Sequence, residues 1–377
     1  MAKQKRQANF ELLRICAMFM VVVLHWISAS RALPEDSGAL DGTGAAAVVL
    51  ESFCIVAVNV YVLIGGYFLS EAGFSLRRVL RLIGQTLFYT LLIPPVLTLL
   101  GVLPAAALTD VYRLWSSLFP VQSGQYWFVS AYVILCLFSP FLNEGLRRLD
   151  KRRLQQLLAA FLFFFCIGKS LSPLQFATDR YGYDFGWFCV VYLTGGYLRR
   201  YGLPFFQNAR RGFLVYAASA LLTAGAELLL TVLAARFPGL AYYASVPFHY
   251  NYLLCLTGAV GLFYGFSGLS VGEGMAERLI LGASPAVLGV YLIHQQADVA
   301  GRWFGWINGL TGRLGAGWSW EPERETALLA GPFGGLLEIG RFTGLLLLQA
   351  LLVFLFCLSI DWLRGRLFLA ARRKEKG

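Results

Sequence analysis

Charge is scarce in this chain. Asp, Glu, Lys and Arg make up 14% of its 377 residues, whereas hydrophobic residues make up 58%. Soluble domains carry about 25% charged residues, so an ordinary soluble enzyme is excluded. Histidine is scarcer still, with only His25, His249 and His294. Seven cysteines (Cys16, Cys54, Cys136, Cys166, Cys189, Cys255 and Cys357) fall singly in apolar runs, without C-x-x-C spacing. They read as small core residues, and no metal site is expected. The sequence also lacks a P-loop, a dinucleotide glycine fingerprint, H-E-x-x-H and G-x-S-x-G in a usable context, which leaves no sign of those chemistries. Disorder is excluded by the 15% aromatic content, which would not stay solvated.

Long apolar runs are abundant. A membrane span needs about 20 apolar residues, and ten candidate spans are read at 10–29, 45–68, 82–103, 125–142, 154–171, 185–198, 213–234, 250–267, 279–297 and 341–362. The fourth is expected to stop at Pro140, after Phe138 and Ser139. The fold class is therefore an all-α integral membrane protein, a bundle of about ten transmembrane helices forming one domain over 1–377. The basic N-terminus before an apolar run has the outline of a signal peptide. Glu11 and Arg14 interrupt that run, so it reads as a retained first span.

Basic residues set the orientation. With the N-terminus inside, 23 of the 32 Lys and Arg residues fall in inner segments, as the positive-inside rule requires. Both termini are then cytoplasmic. The net charge of +11 needs no nucleic-acid partner; the expected partner is the bilayer. The longest outer loop, about 298–340, holds Trp303, Trp306, Trp318 and Trp320. They read either as an interfacial belt or as a platform for sugar rings. The apolar, glycine-rich stretch from Ala327 to Gly340 reads as interfacial or re-entrant. Similar glycine-pair stretches, Gly65-Gly66-Tyr67 and Gly195-Gly196-Tyr197, read as close helix packing rather than an internal repeat.

Ionisable residues inside spans are costly and hence functional candidates. The first span has Glu11, Arg14 and His25. Glu11 and Arg14 are three apart and can pair on one helix face. Arg14 and His25 are eleven apart, which is about three turns plus 20°, with a rise of about 16 Å. One stripe thus carries a cation near the inner surface and an imidazole deep in the membrane. The plainer reading is a snorkelling arginine and a histidine bonded to another helix, and spacing alone leaves both open. Arg77, Arg78 and Arg81 follow the second span, and Arg78 with Arg81 forms an R-x-x-R step able to grip phosphates. His249 reads as surface and Lys169 as snorkelling. Glu51 and Glu227 find no assigned place.

Several segments resemble the acyltransferase 3 family of bacterial membrane proteins. The family's R-x10-H opening is matched by Arg14 and His25. Its glycine-pair motif is matched by Gly65-Gly66-Tyr67-Phe68-Leu69-Ser70, and its R-x-x-R step by Arg78 and Arg81. Tyr126-Trp127-Phe128 through Ser139-Pro140-Phe141-Leu142-Asn143 is similar to its fourth-span region. Tyr291-Leu292-Ile293-His294 resembles its late tyrosine–histidine motif, with Gln295 where proline is frequent. The resemblance covers about residues 9–362. It implies a ten-helix bundle in the bacterial plasma membrane. The implied activity is transfer of an acyl group, usually acetyl, from cytoplasmic acyl-CoA to a hydroxyl of an extracytoplasmic polysaccharide or lipid-linked sugar. No esterase-like domain of the kind some members carry is read here, so the chain resembles standalone members. Acyl-CoA is then a co-substrate and no bound cofactor is expected. His25 is expected as general base, Arg14 as donor grip or charge stabiliser, and Arg78 and Arg81 as acyl-CoA contacts. Glu11, His294, Gly65, Gly66, Ser70 and Trp127 are secondary candidates. The rival expectation is an exporter or flippase of a sugar or glycan, without chemistry.

Overall fold

The computed structural model describes residues 6–34, 41–171, 180–313 and 334–374, and these are helical apart from their connections. Sixteen α-helices can be numbered among the described residues. Seven helices or helix pairs are long and apolar enough to cross a membrane. They are α1 (Ala8–Ser30), α2 with α3 (Gly42–Cys54 and Ala57–Leu69), α4 (Leu76–Leu99), α6 (Trp127–Arg148), α10 (Ala209–Arg236), α13 with α14 (Met275–Ala283 and Val287–His294) and α16 (Gly334–Lys374). The fifth, sixth and eighth expected spans are also helical but shorter or interrupted. α7 (Lys151–Leu162) passes through a π-turn into α8 (Lys169–Leu171), α9 is Phe185–Tyr201, and α12 is Leu253–Ser267. Three further helices are α5 (Val111–Leu118), α11 (Ala241–Ser245) and α15 (Trp303–Arg313). The chain is an all-α, multi-pass membrane protein.

Short polar side chains start the helices. Asp41, Asp150, Asp184 and Asn208 each accept from a backbone N–H in the first turn that follows, at 2.6–3.0 Å. Each satisfies one donor that an apolar helix cannot pair internally.

Three expectations about helix ends fail. α6 does not stop at Pro140 but continues to Arg148. Proline removes the N–H that would reach the carbonyl four residues back, here that of Cys136. Ser139 Oγ donates to that carbonyl at 2.8 Å, so the bond is replaced and the helix goes on. The 334–340 part of the glycine-rich stretch does not re-enter; it belongs to α16, which runs unbroken from Gly334, and 327–333 lie outside the described residues. α4 starts earlier than expected, which places Arg77, Arg78 and Arg81 on its first turns rather than before it.

The core is assembled where glycines let backbones touch. A Cβ on Gly66 of α3 would overlap the Tyr192 carbonyl of α9, and one on Gly195 of α9 would overlap the Leu63 carbonyl of α3. The two glycine pairs therefore meet each other, as close packing requires. Gly212 of α10 packs in the same way on Gly261 and Gly265 of α12. α1 threads the middle of this assembly, against α2, α3, α12, α14 and α16. Buried polar bonds fix its neighbours. Asn59 donates to the Tyr250 carbonyl at 2.7 Å and accepts from Trp187 Nε1 at 2.9 Å. Trp26 Nε1 donates to Gln349 on α16 at 3.2 Å. In a medium without water such bonds have few substitutes.

The tryptophan-rich loop resolves in part. Trp303 is buried against Phe356, which makes it a core residue, and Trp306 is partly exposed beside it. Trp318 and Trp320 lie outside the described residues.

Candidate active site

Two cavities meet at α1. The first, about 510 Å³, is bordered by Arg6, Glu11, Arg14, Arg78, Arg81 and, at its far end, His25. The second, about 700 Å³, is bordered by His25, Arg31, Glu51, Glu227 and His249, with several aromatic rings. Both volumes lie in the range of small-molecule sites. His25, Leu24, Trp127 and Tyr250 border both cavities and so form the partition between them.

The arginine cavity takes its charge from two helices. Glu11 Oε1 receives Arg14 Nη1 at 2.6 Å, the i,i+3 pair expected from spacing, with Arg6 Nε at 4.0 Å. Tyr61 Oη donates to the Arg14 carbonyl at 2.6 Å and ties α1 to α3. Arg78 and Arg81 are exposed on α4 and make no ion pair among the described residues. Four guanidinium groups thus face one carboxylate at this cavity, and the surplus is cationic. Such a surplus suits a ligand with several phosphates, because guanidinium groups bind phosphate oxygens in pairs.

At the far end His25 meets His294 of α14. His294 Nδ1 lies 2.6 Å from the Val290 carbonyl. A carbonyl only accepts, so that nitrogen carries the hydrogen. In the neutral ring His294 Nε2 is then a bare lone pair, and it lies 2.8 Å from His25 Nδ1. His25 must donate there, which leaves His25 Nε2 as the basic nitrogen. No protein group bonds that nitrogen among the described residues. This relay from backbone carbonyl to His294 to His25 selects the tautomer a general base needs.

The remaining predicted residues divide. Trp127 lies on the partition, 4.5 Å from Tyr183 and 5.7 Å from Tyr250 between ring centroids. Gly65 and Gly66 shape the α3 contact and border neither cavity. Ser70 donates within its own helix end, to the Tyr67 carbonyl at 3.3 Å, and also lies off both cavities. Two expectations are corrected. His249 is not on the surface; it is buried on the wall of the second cavity, 4.1 Å from the Tyr181 ring. Lys169 does not snorkel, because it is 2% exposed, with Nζ bonded to Asn251 Oδ1 at 2.8 Å and set 4.9 Å over the Tyr181 ring. Sequence reasoning left Glu51 and Glu227 unassigned although they carry the same signal as Arg14, a charge within an apolar helix. No group of metal-ligating side chains occurs among the described residues.

A family model described as an acyltransferase domain matches residues 7–360. The chain belongs to the acyltransferase 3 family. The match takes in α1, the R-x-x-R step and the His294 segment together, so this family member is a membrane acyltransferase over nearly its whole length. No curated protein and no solved structure matches the chain.

Proposed function

We propose that this acyltransferase moves an acyl group, most simply acetyl, from acyl-CoA to a sugar hydroxyl across the partition at His25. The observation that carries the reading is the pair of cavities sharing His25, one cationic and one lined by carboxylates and aromatic rings. In this reading the CoA phosphates lie against Arg14, Arg78 and Arg81. The extended pantetheine arm follows α1 toward His25. Arg14 and His25 are separated by about 16 Å along the helix, too far for one carbonyl to touch both. Arg14 therefore grips the donor and does not stabilise the oxyanion.

The acceptor hydroxyl enters from the second cavity. Its oxygen attacks the thioester carbonyl carbon while His25 Nε2 takes its proton. The carbon–sulfur bond then breaks, and the thiolate leaves with that proton. His25 Nδ1–H stays bonded to His294 throughout, so the imidazolium formed in the step is stabilised where it arises. In this reading the Arg78 end, rich in basic residues as the positive-inside rule favours, faces the cytoplasm of a bacterial plasma membrane, with both termini inside, ten helical passes and the acceptor glycan outside. Pure export gives no role to a base whose tautomer is fixed by a second histidine.

Membranes holding the protein, supplied with acetyl-CoA labelled in the acetyl group, should gain label in glycan that mild base releases. His25→Ala should abolish the gain. Unchanged labelling in that variant would remove His25 from the chemistry.

A further inference from the structure

The arginine cavity runs between two stripes of side chains. On α1 it is bordered by Arg14, Met18, Val21 and His25, and facing them by Ser284, Leu288 and Tyr291. Steps of three and four residues keep each set on one face. Both stripes end at the bonded pair of His25 and His294. Ser284 opens the short turn Ser284–Ala286 that joins α13 to α14, and this turn packs on α1. The residue is 7% exposed, and its hydroxyl makes no hydrogen bond among the described residues. Other buried or half-buried hydroxyls of the helices find a partner in their own backbone. Ser52, Thr86 and Thr194 each donate to the carbonyl four residues back. Ser139, which also precedes a proline, donates to the Cys136 carbonyl. Tyr61 and Gln85, neutral polar groups that border the same cavity, are bonded to the Arg14 carbonyl and to Asp361. A buried hydroxyl left without a partner costs stability, and its place on a cavity wall calls for one from a ligand.

We infer that Ser284 binds the pantetheine arm of the acyl donor, through a hydrogen bond between its hydroxyl and an amide or hydroxyl of that arm. The inference rests on the acyl-transfer reading and adds a donor contact to it. Between its phosphates and its thioester, CoA is uncharged and carries two amides and a hydroxyl. A serine hydroxyl can donate to such groups or accept from them, and a single torsion sets where its oxygen points. Ser284 stands ten residues before His294, about 15 Å along the helix. It is therefore too far back to touch a thioester carbonyl held at His25. Phosphates are matched by the guanidinium groups and not by one neutral hydroxyl. The contact falls on the arm, at the end nearer the phosphates. A polyphosphate without the arm gains nothing from Ser284, so the site recognises more than charge.

The test is thermal titration of the purified full-length protein in detergent with acetyl-CoA, for the wild type and Ser284→Ala, at low and at high salt. Because no described residue bonds the hydroxyl, the variant without ligand should melt no lower than the wild type. Its affinity for acetyl-CoA should fall about two- to tenfold, the worth of one neutral hydrogen bond. That ratio should be the same at both salt concentrations, since the contact carries no charge. A lower midpoint without ligand, or a variant that does not fold, would give the hydroxyl a structural role and overturn the inference. Unchanged affinity in the folded variant would overturn it as well. So would a deficit that vanishes in high salt, which would move the contact to the phosphates. No saturable shift in the wild type refutes the acyl-donor reading itself. A wild-type shift that Ser284→Ala leaves unchanged refutes only the arm contact.

Discussion

Replacing His294 by Ala removes the acceptor of the His25 Nδ1–H bond and nothing else that touches His25 among the described residues. The ring of His25 is then free to take either tautomer, and its imidazolium loses a hydrogen-bonded partner. A hydrogen bond to a charged group contributes about 1.5–3 kcal/mol. With a tenfold change for each ~1.4 kcal/mol, acyl transfer should slow by about 10- to 150-fold. His25→Ala removes the base altogether and should cost about 100- to 10,000-fold. The discriminating assay is the cycle of the two single variants and the double variant, read as the rate of CoA release at saturating acetyl-CoA. If His294 acts through His25, the double variant should be no slower than His25→Ala alone. The KM for acetyl-CoA should stay unchanged in His294→Ala, because the donor's phosphates lie at the other end of α1. Full activity in His294→Ala, or additive losses in the double variant, would refute the relay.

Other outcomes follow from the same geometry. Arg78→Ala and Arg81→Ala should each raise the KM for acetyl-CoA about three- to tenfold, since both groups are solvent-facing; the effect should shrink in high salt while kcat holds, as steady-state kinetics at two ionic strengths would show. Gly66→Ala puts a methyl group into the Tyr192 carbonyl, and overpacking of this kind costs about 1–3 kcal/mol; the thermal midpoint in detergent should drop, with donor affinity little changed in the protein that stays folded. Asp361 is 2% exposed and accepts from Tyr89 at 2.6 Å, Arg364 at 2.7 Å and Gln85 at 3.0 Å. Asp361→Ala leaves the half-buried Arg364 guanidinium without its carboxylate and unties α4 from α16, and should show as a lower midpoint and faster inactivation on warming.

Much of this was legible in the sequence because it depends on distances within one helix. The Glu11–Arg14 pair and the shared stripe of Arg14 and His25 follow from the helical repeat alone. Apolar runs placed a helix at every expected span. What the sequence hid lies between helices. His294 is 269 positions from His25, and only the packing of α14 on α1 shows that they bond. His249 looked like a loop histidine because it stands beside Pro247 and Tyr250 between two expected spans; Tyr181, from the turn before α9, packs on it. Pro140 looked like a stop because the rule for proline takes no account of a serine that bonds the freed carbonyl. Glu51 and Glu227 were visible as charges in apolar helices, but their common cavity exists only once α2 and α10 are packed.

The central claim is transfer across the partition at His25, from donor on the Arg78 side to acceptor on the Glu51 side. Sided membrane vesicles test it directly. Acetyl-CoA does not cross a bilayer, so it can be offered to one face at a time. Donor offered to the face that bears Arg78 should place labelled acetyl on glycan at the opposite face, and donor offered to the other face should place none. Transfer only between donor and acceptor on the same face, or equal transfer from both faces, would contradict the account.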